Sequence, residues 1–366
     1  MATASTVASG NMCDESRPIC SHCIASERSC FYSDEPIRTR TPIQRGSSTP
    51  SVTPRSPFEP SAESLEDVSA VNMMHVELLH HLFSDFQNVV ENDYDQSQVS
   101  FVDISKHFLS APYLMNMALA LSALHLSITR PDQRQLYRHR ASHMQMHALS
   151  IFNAMKPVSN PDSCIPLFLF SSLLGVHMLC DSLAFHSDAF EEFLASYTQS
   201  IRLHQGVRTV INGSWEFLRQ TELAPFLNVA DSINMENFGI SDEFQTLLGL
   251  LQSANLEESV SKTYHDSIMS LQGVTTAALS HPTSNVHIIH AWPVIVGADY
   301  VDLLSSHQPE ALVILAHYAV LLHLRRDNWM FGDGGKYLIE SISQFLGPAW
   351  ENWLSWPVKN LQDGVL

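Results

Sequence analysis

The sequence is poor in positive charge. Its 366 residues contain 20 lysines and arginines against 38 aspartates and glutamates, and the first lysine is Lys106. Six arginines and six acidic residues cancel within positions 1–60, so the net charge of −18 belongs to the rest of the chain. An acidic surface repels phosphate, because proteins bind nucleic acids by replacing condensed counterions with Lys and Arg. Any contact with DNA is therefore expected from the N-terminal segment alone.

Several signatures of other protein classes are absent from the sequence. It contains no G-x-x-x-x-G-K-[ST], G-x-G-x-x-G or G-x-S-x-G motif, so nucleotide binding and serine-hydrolase chemistry lack support. The start, MATASTVASG, has no basic stretch followed by an apolar run, so we expect an intracellular protein without a secretory signal. The longest apolar tract, at 165–180, is shorter than the roughly 18 to 20 residues of a membrane helix. It predicts a buried core helix and no membrane span.

Strand patterns are also scarce, whereas apolar residues recur every three to four positions through most of the chain after residue 70. This periodicity predicts an all-α body of ten or more helices. Asp188 with Glu191 predicts the start of one helix and Gly206 predicts its end. The segment 336–346 is expected to form the last helix, stopping at Gly347. The helical segments identified in this way lie at 71–90, 113–127, 132–155, 187–206, 310–324 and 336–346.

The region between Ser33 and Ala70 is rich in proline, serine and threonine and has few large apolar residues. Such a composition cannot bury enough surface to fold, which predicts a disordered linker. The expected organisation is a short cysteine-containing segment at 1–32, a linker at 33–70 and a large helical domain at 71–366.

Four of the six cysteines lie close together near the N-terminus. Disulfides are rare in a reducing compartment, so clustered cysteines there favour zinc ligation by thiolates. The other two, Cys164 and Cys180, lie in the apolar tract and are expected in the core. The candidate metal ligands, spaced C-x6-C-x2-C-x6-C, are Cys13, Cys20, Cys23 and Cys30, with His22 as a less favoured substitute.

These cysteines, with Arg17-Pro18 before Cys20 and Phe31-Tyr32 after Cys30, resemble the second half of the fungal zinc binuclear cluster, a DNA-binding module. The body, above all the run from AWPVIVGADY to FLGPAWENWLSWP, resembles the regulatory domain of sterol-uptake-control-type fungal transcription factors. The resemblance implies a zinc-cluster transcription regulator that binds promoter DNA in the nucleus, with a cytoplasmic stage before activation. It also implies a helical domain that takes a sterol or other lipid and pairs with itself or a related transcription factor.

The sequence departs from this family ahead of the third family cysteine. The family places a C-x2-C pair and a basic R-x-R-R-x-K run there, whereas this chain has Thr3 and Thr6 at the cysteine positions and VASGNM before Cys13. Four thiolates cannot complete two zinc sites, so we expect one zinc or none. Two interpretations stay open. Either the first exon is wrongly joined, or the chain is a genuine shortened product that does not bind DNA and modulates a full-length relative by dimerising with it.

A third function class, a small-molecule enzyme in a helical fold, has little support. Three histidines at i, i+4 and i+8 have metal-site spacing, but no carboxylate or cysteine accompanies them, so an exposed helix face is favoured. A His-His pair with a nearby aspartate lacks the partners of a metal-hydrolase motif and is expected at the surface or boundary of a helix. The acidic motif ENDYDQ at 91–96 lacks the second motif of a terpene cyclase. The histidine groups are His139, His143 and His147, and His80, His81 and Asp85.

Overall fold

The structure of the protein is a computed structural model that describes residues 71–86, 101–157, 160, 163–187, 189–211, 215–224, 239–280 and 286–363. These residues form helices joined by short connections, and no strand occurs among them. The prediction of an all-α body is confirmed. The chain separates into two units, of which the second, Ser69–Leu366, contains all the residues described below.

Fourteen α-helices occur in the described ranges, in agreement with the expected ten or more. Short 3-10 turns precede α3, α4 and α14, and one π-helical turn, Leu82–Phe86, extends α1. The helices are α1 Met73–His81, α2 Phe101–Ser105, α3 Pro112–Thr129, α4 Arg134–Met155, α5 Cys164–Ala184, α6 Phe190–Ile211, α7 Trp215–Leu218, α8 Asp242–Ser253, α9 Glu258–Ser280, α10 Val286–Ile295, α11 Ala298–Ser305, α12 Pro309–Leu324, α13 Gly334–Leu346 and α14 Glu351–Asp363.

Helix α12 lies in the centre of the C-terminal half. It begins at Pro309, where a missing backbone N–H costs no helical hydrogen bond, and every residue from Ala311 to His323 is buried. A helix that is apolar all round needs neighbours on every side. Helices α9, α11, α13 and α14 provide them, and the buried Trp292 of α10 stacks on Tyr318 with ring centroids 4.6 Å apart.

The N-terminal half is built around α3, which packs against α4 and α5. Alanine and leucine alternate along α3, and the small side chains allow its neighbours to approach closely. Helix α1 lies against α3 through Leu78 and Leu82, as the predicted apolar stripe requires. Helix α5 packs on α6 and carries Cys164 and Cys180. Both cysteines are buried and so belong to the core, as expected.

The apolar tract at 165–180 lies within α5. By length and composition alone, α5 could span a membrane, and so could α10 and α11 if that bent pair is counted as one span. Most of α5 is nevertheless buried inside the body, including Leu167, Phe170 and Leu174. This burial fits the prediction of a core helix.

One predicted helix end and the prediction of which helix is the last are wrong. Gly206 was expected to terminate α6, but the helix continues to Ile211. A glycine inside a helix lowers helix stability by only about 1 kcal/mol. Next to Gly206, the side-chain amide of Gln205 donates a hydrogen bond to the carbonyl of Val296, 2.8 Å away. The segment 336–346 does end at Gly347, where φ is +72°, but it is not the last helix. Helix α14 follows and accommodates Pro357 in its interior.

Candidate functional site

The predicted zinc ligands, Cys13, Cys20, Cys23 and Cys30, lie outside the described residues together with His22, so the zinc site stays a prediction. The acidic motif at 91–96 also falls outside them. The two cysteines that are described are poor metal ligands. Burial raises the pKa of the Cys180 thiol far above its usual value, which keeps the sulfur protonated and unreactive.

The three histidines at i, i+4 and i+8 lie exposed on α4. His139 and His143 face each other with ring centroids 6.5 Å apart, and His147 continues the row. In the part of the chain that the structure describes, no group of three or more His, Cys, Asp or Glu side chains is arranged to hold a metal. Because all three side chains are exposed, the expectation of an exposed helix face is confirmed.

The prediction for His81 is wrong, because this side chain is buried although a surface or boundary position was expected. His81 Nδ1 lies 3.1 Å from Asp85 Oδ2, and His81 Nε2 lies 2.9 Å from Nδ1 of the buried His125 on α3. Residues 81 and 125 are far apart in sequence, so no local pattern could have indicated the contact. His80 and Asp85 are exposed, as predicted.

A cleft of about 360 Å³ lies between α8 and α14. We call it the α8–α14 cleft. Its volume is at the lower end of the range for pockets that bind small molecules. The α8 side consists of Asp242, Glu243, Thr246, Leu247 and Leu250, the α14 side of Asn352, Trp353, Ser355, Trp356 and Lys359, and α12 contributes His317.

Helix α8 places acidic and apolar side chains on the same wall because Asp242 and Leu250, and likewise Glu243 and Leu247, are separated by multiples of four positions and so lie on one side of the helix. Asp242 and Glu243 occupy the first turn, where the partial positive charge of the helix N-terminus stabilises carboxylates. Phe244 and Leu247 are buried and anchor the helix. Among the described residues neither Asp242 nor Glu243 forms a salt bridge, so both carboxylates remain available to the cleft.

The opposite wall is aromatic. Trp356 stacks on His317 with ring centroids 5.3 Å apart and an interplanar angle of 15°, and Trp353 packs beside Trp350. His317 Nδ1 donates a hydrogen bond to the carbonyl of Val313, 2.9 Å away, which leaves the other ring nitrogen as an acceptor. Burial lowers the pKa of His317 to about 4, so the imidazole is neutral at neutral pH.

The sequence reasoning did not identify this cleft. Neither the tryptophans of α14 nor His317, which lies within an apolar helix, form a pattern in the sequence that indicates a binding site. The usable signal was the acidic start of α8 next to an amphipathic pattern, but Asp242 and Trp356 are more than a hundred positions apart in sequence. Their proximity depends on how α8 and α14 pack.

Two curated proteins are similar to the chain over most of its length. One is the Zn(2)-C6 fungal-type transcription factor afumD of Aspergillus fumigatus, 25% identical over 321 residues, which cover 84% of this chain and 81% of that protein. The other is a Zn(2)-C6 fungal-type transcription factor of Gibberella zeae, 22% identical over an alignment of 420 positions. That alignment covers 95% of this chain and 82% of the Gibberella zeae protein. No family model matches the chain. The similarity agrees with the resemblance noted in the sequence, and the chain is thus a homologue of fungal zinc-cluster transcription factors.

Proposed function

We propose that the protein is a transcription regulator that acts in the nucleus and has no catalytic activity. Its parts are a zinc-binding segment at 1–32, a linker at 33–70 and a helical regulatory domain at 71–366. The observation that carries the proposal is the similarity to two Zn(2)-C6 transcription factors, which extends over more than four-fifths of their lengths. The acidic, all-helical body supports a regulatory role for this domain, because its charge opposes direct binding to DNA.

The donor set of the N-terminal segment suits one zinc ion. Four cysteine thiolates complete a tetrahedral shell, whereas two zinc ions need more thiolates than Cys13, Cys20, Cys23 and Cys30 supply. A bound zinc ion would contribute folding free energy to this segment, since the ligands organise around the metal. We therefore propose one zinc per chain, held by these four residues.

We further propose that the helical domain responds to a ligand. The resemblance implies a sterol or another apolar molecule as the ligand class of the family, and the α8–α14 cleft is the candidate position for a ligand of this domain. A ligand that fills the cleft would stabilise one arrangement of α8, α12 and α14 relative to the others and so shift the population of active protein. The partly buried indoles of Trp353 and Trp356 support binding of an apolar group.

A second candidate function is that of a partner protein without DNA-binding activity, which pairs with a full-length relative. Two observations favour it. The residues before Cys13 in the sequence contain no R-x-R-R-x-K run, the feature that in the resembled family supplies contacts to phosphates and bases. Helix α1 and the π-helical turn that extends it also expose apolar side chains, with Met73 70%, Val76 44% and Phe83 41% exposed. Exposed apolar faces of this kind mark protein contacts.

Zinc quantification combined with a gel-shift assay on promoter fragments separates the two functions. A DNA-binding regulator gives one zinc per chain and a shifted band at low salt, and both are lost in a Cys20→Ser/Cys23→Ser variant. Cys164→Ala, a cysteine change in the core, serves as the control and should retain both. The absence of a shift at low salt, together with less than one zinc per chain, would leave only the partner function.

A further inference from the structure

We propose that the α8–α14 cleft binds a compact aromatic amine. This inference rests on the proposed regulatory role only in treating the helical domain as the part of the protein that takes a ligand. It departs from the sterol that the resemblance implies, because the lining of the cleft is not purely apolar: it contains the carboxylates of Asp242 and Glu243 and the imidazole of His317, together with Thr246, Asn352, Ser355 and Lys359. Each wall of the cleft contributes one part of the recognition.

The α8 wall supplies negative charge. Asp242 and Glu243 both line the cleft, and neither forms a salt bridge with any residue that the structure describes. Lys359 is the single cation among the lining residues, so the cleft carries a formal charge of −1. The protein as a whole carries −18, which raises the local concentration of cations further. Together these charges favour a ligand with an ammonium group.

The α14 wall supplies aromatic surface. Trp353 and Trp356 present indole rings, which attract a cation to their faces and bind another aromatic ring by stacking. Both side chains are only partly buried, so the cleft can be reached from solvent. An amine attached to an aromatic ring would use both properties at once.

The floor supplies a hydrogen-bond acceptor. The Nδ1–H of His317 is already used by the carbonyl of Val313, and burial keeps the ring neutral, so its second nitrogen has a lone pair to offer. An ammonium group can donate to this nitrogen and to the carboxylates. A carboxylate ligand would be repelled by Asp242 and Glu243, whereas a neutral alcohol would gain a hydrogen bond without the charge attraction.

The volume of the cleft limits the size of the ligand. At about 360 Å³ the cleft holds a molecule of one or two rings and is close to the smallest pockets that enclose small ligands. A compact amine therefore fits the dimensions better than a four-ring sterol with its tail.

The test is calorimetric titration of the full chain with three probes of similar size: phenethylamine, 2-phenylethanol and 3-phenylpropanoate. We expect phenethylamine to bind at least about tenfold more tightly than the alcohol, and the carboxylate to bind most weakly. Added salt should weaken the binding of the amine and leave that of the alcohol nearly unchanged. If 2-phenylethanol bound as tightly as phenethylamine or more tightly, the proposal would be overturned, and the cleft would be assigned to apolar ligands.

Two variants make the assignment specific. Asp242→Asn/Glu243→Gln should lower the affinity for phenethylamine about tenfold without changing that for 2-phenylethanol. Trp353→Leu keeps both carboxylates and should weaken the binding of phenethylamine and of 2-phenylethanol. Asp299→Asn is the control, because it removes a carboxylate from the first turn of another helix, α11. This variant should bind phenethylamine as tightly as the original chain does. Unchanged amine affinity in the double variant would overturn the proposal, whereas the gel-shift result bears only on the proposed function.

Discussion

His81 Nε2 and His125 Nδ1 lie 2.9 Å apart and join α1 to α3. The two ring planes differ by only 12°, and the centroids are 5.1 Å apart. Because the nitrogens are much closer than the centroids and the planes are nearly parallel, the rings lie edge to edge. The contact is therefore a hydrogen bond within a common plane and not a stack.

The direction of this hydrogen bond follows from Asp85. Its carboxylate accepts from His81 Nδ1–H, so His81 Nε2 is an acceptor and His125 Nδ1–H is the donor. Both rings are neutral in this arrangement. Burial lowers the pKa of both histidines, that of His125 to about 4. The pair thus attaches α1, the first helix of the described residues, to α3.

The first prediction concerns pH. Burial lowers the pKa of His125, His177 and His317 to about 4, whereas an unfolded histidine titrates near its ordinary value of 6.5. Between these values the unfolded chain binds more protons than the folded one, so stability is full above pH 6.5 and falls as the pH drops toward 4. As the pH falls, each of these histidines should lower the free energy of unfolding by on the order of 1 to 3 kcal/mol. Urea titrations at pH 7, 6 and 5 measure it, and a constant free energy of unfolding would contradict the prediction.

The second prediction concerns His177 on α5. The ring is buried, and neither nitrogen has a hydrogen-bond partner among the described residues. An unsatisfied buried polar group costs roughly 1 to 3 kcal/mol, so His177→Leu should leave the free energy of unfolding at pH 7 unchanged or raise it. The variant should also lose part of the pH dependence.

His125→Leu is the matched comparison. This change leaves His81 Nε2 buried without its donor, and we expect a loss of about 1 to 3 kcal/mol at pH 7. Thermal unfolding of the two variants in parallel gives the comparison, and a His177→Leu variant destabilised as strongly as His125→Leu would contradict the account of His177.

The third prediction concerns the packing of α13 on α12. A Cβ atom at Gly335 would lie against the backbone nitrogen of His323 and 2.6 Å from the carbonyl oxygen of Ala319. Backbone atoms cannot move aside as a flexible side chain can, so Gly335→Ala should separate the helices and destabilise the protein by about 1 to 3 kcal/mol or more.

Gly249, on an exposed face of α8, provides the control. No atom lies within 4 Å of a Cβ added there, so Gly249→Ala should stabilise the protein by roughly 0.5 to 1 kcal/mol through helix propensity alone. Chemical denaturation of both variants measures the difference. Similar effects at the two glycines would mean that α12 and α13 are not in close contact.

The fourth prediction concerns the domain boundary. The described core lies entirely within Ser69–Leu366, and we expect this fragment to fold without the segment before it. Its circular dichroism should be strongly helical, and it should unfold cooperatively near the temperature of the full chain. A fragment that unfolds gradually would show that the N-terminal segment contributes to the core.

Local sequence patterns predicted much of the secondary structure. The three-to-four residue spacing of apolar side chains predicted helices at the positions of α1 and α12, and Gly347 marked the end of α13. These signals are read within one or two helical turns, where a side chain and its neighbours decide the conformation. Gly206 misled the prediction because the surrounding packing outweighs a weak local preference.

By itself, the sequence determined the helical class, the acidic charge of the body, the cysteine spacing and the resemblance to zinc-cluster regulators. The tertiary structure alone decided that His81 faces His125, that Gly335 lies against α12, and that α8 and α14 enclose a cleft above His317. The reason is physical. A helix forms from interactions among residues a few positions apart, whereas the meeting of two helix surfaces depends on side-chain shapes that are distant in sequence and complementary only after packing.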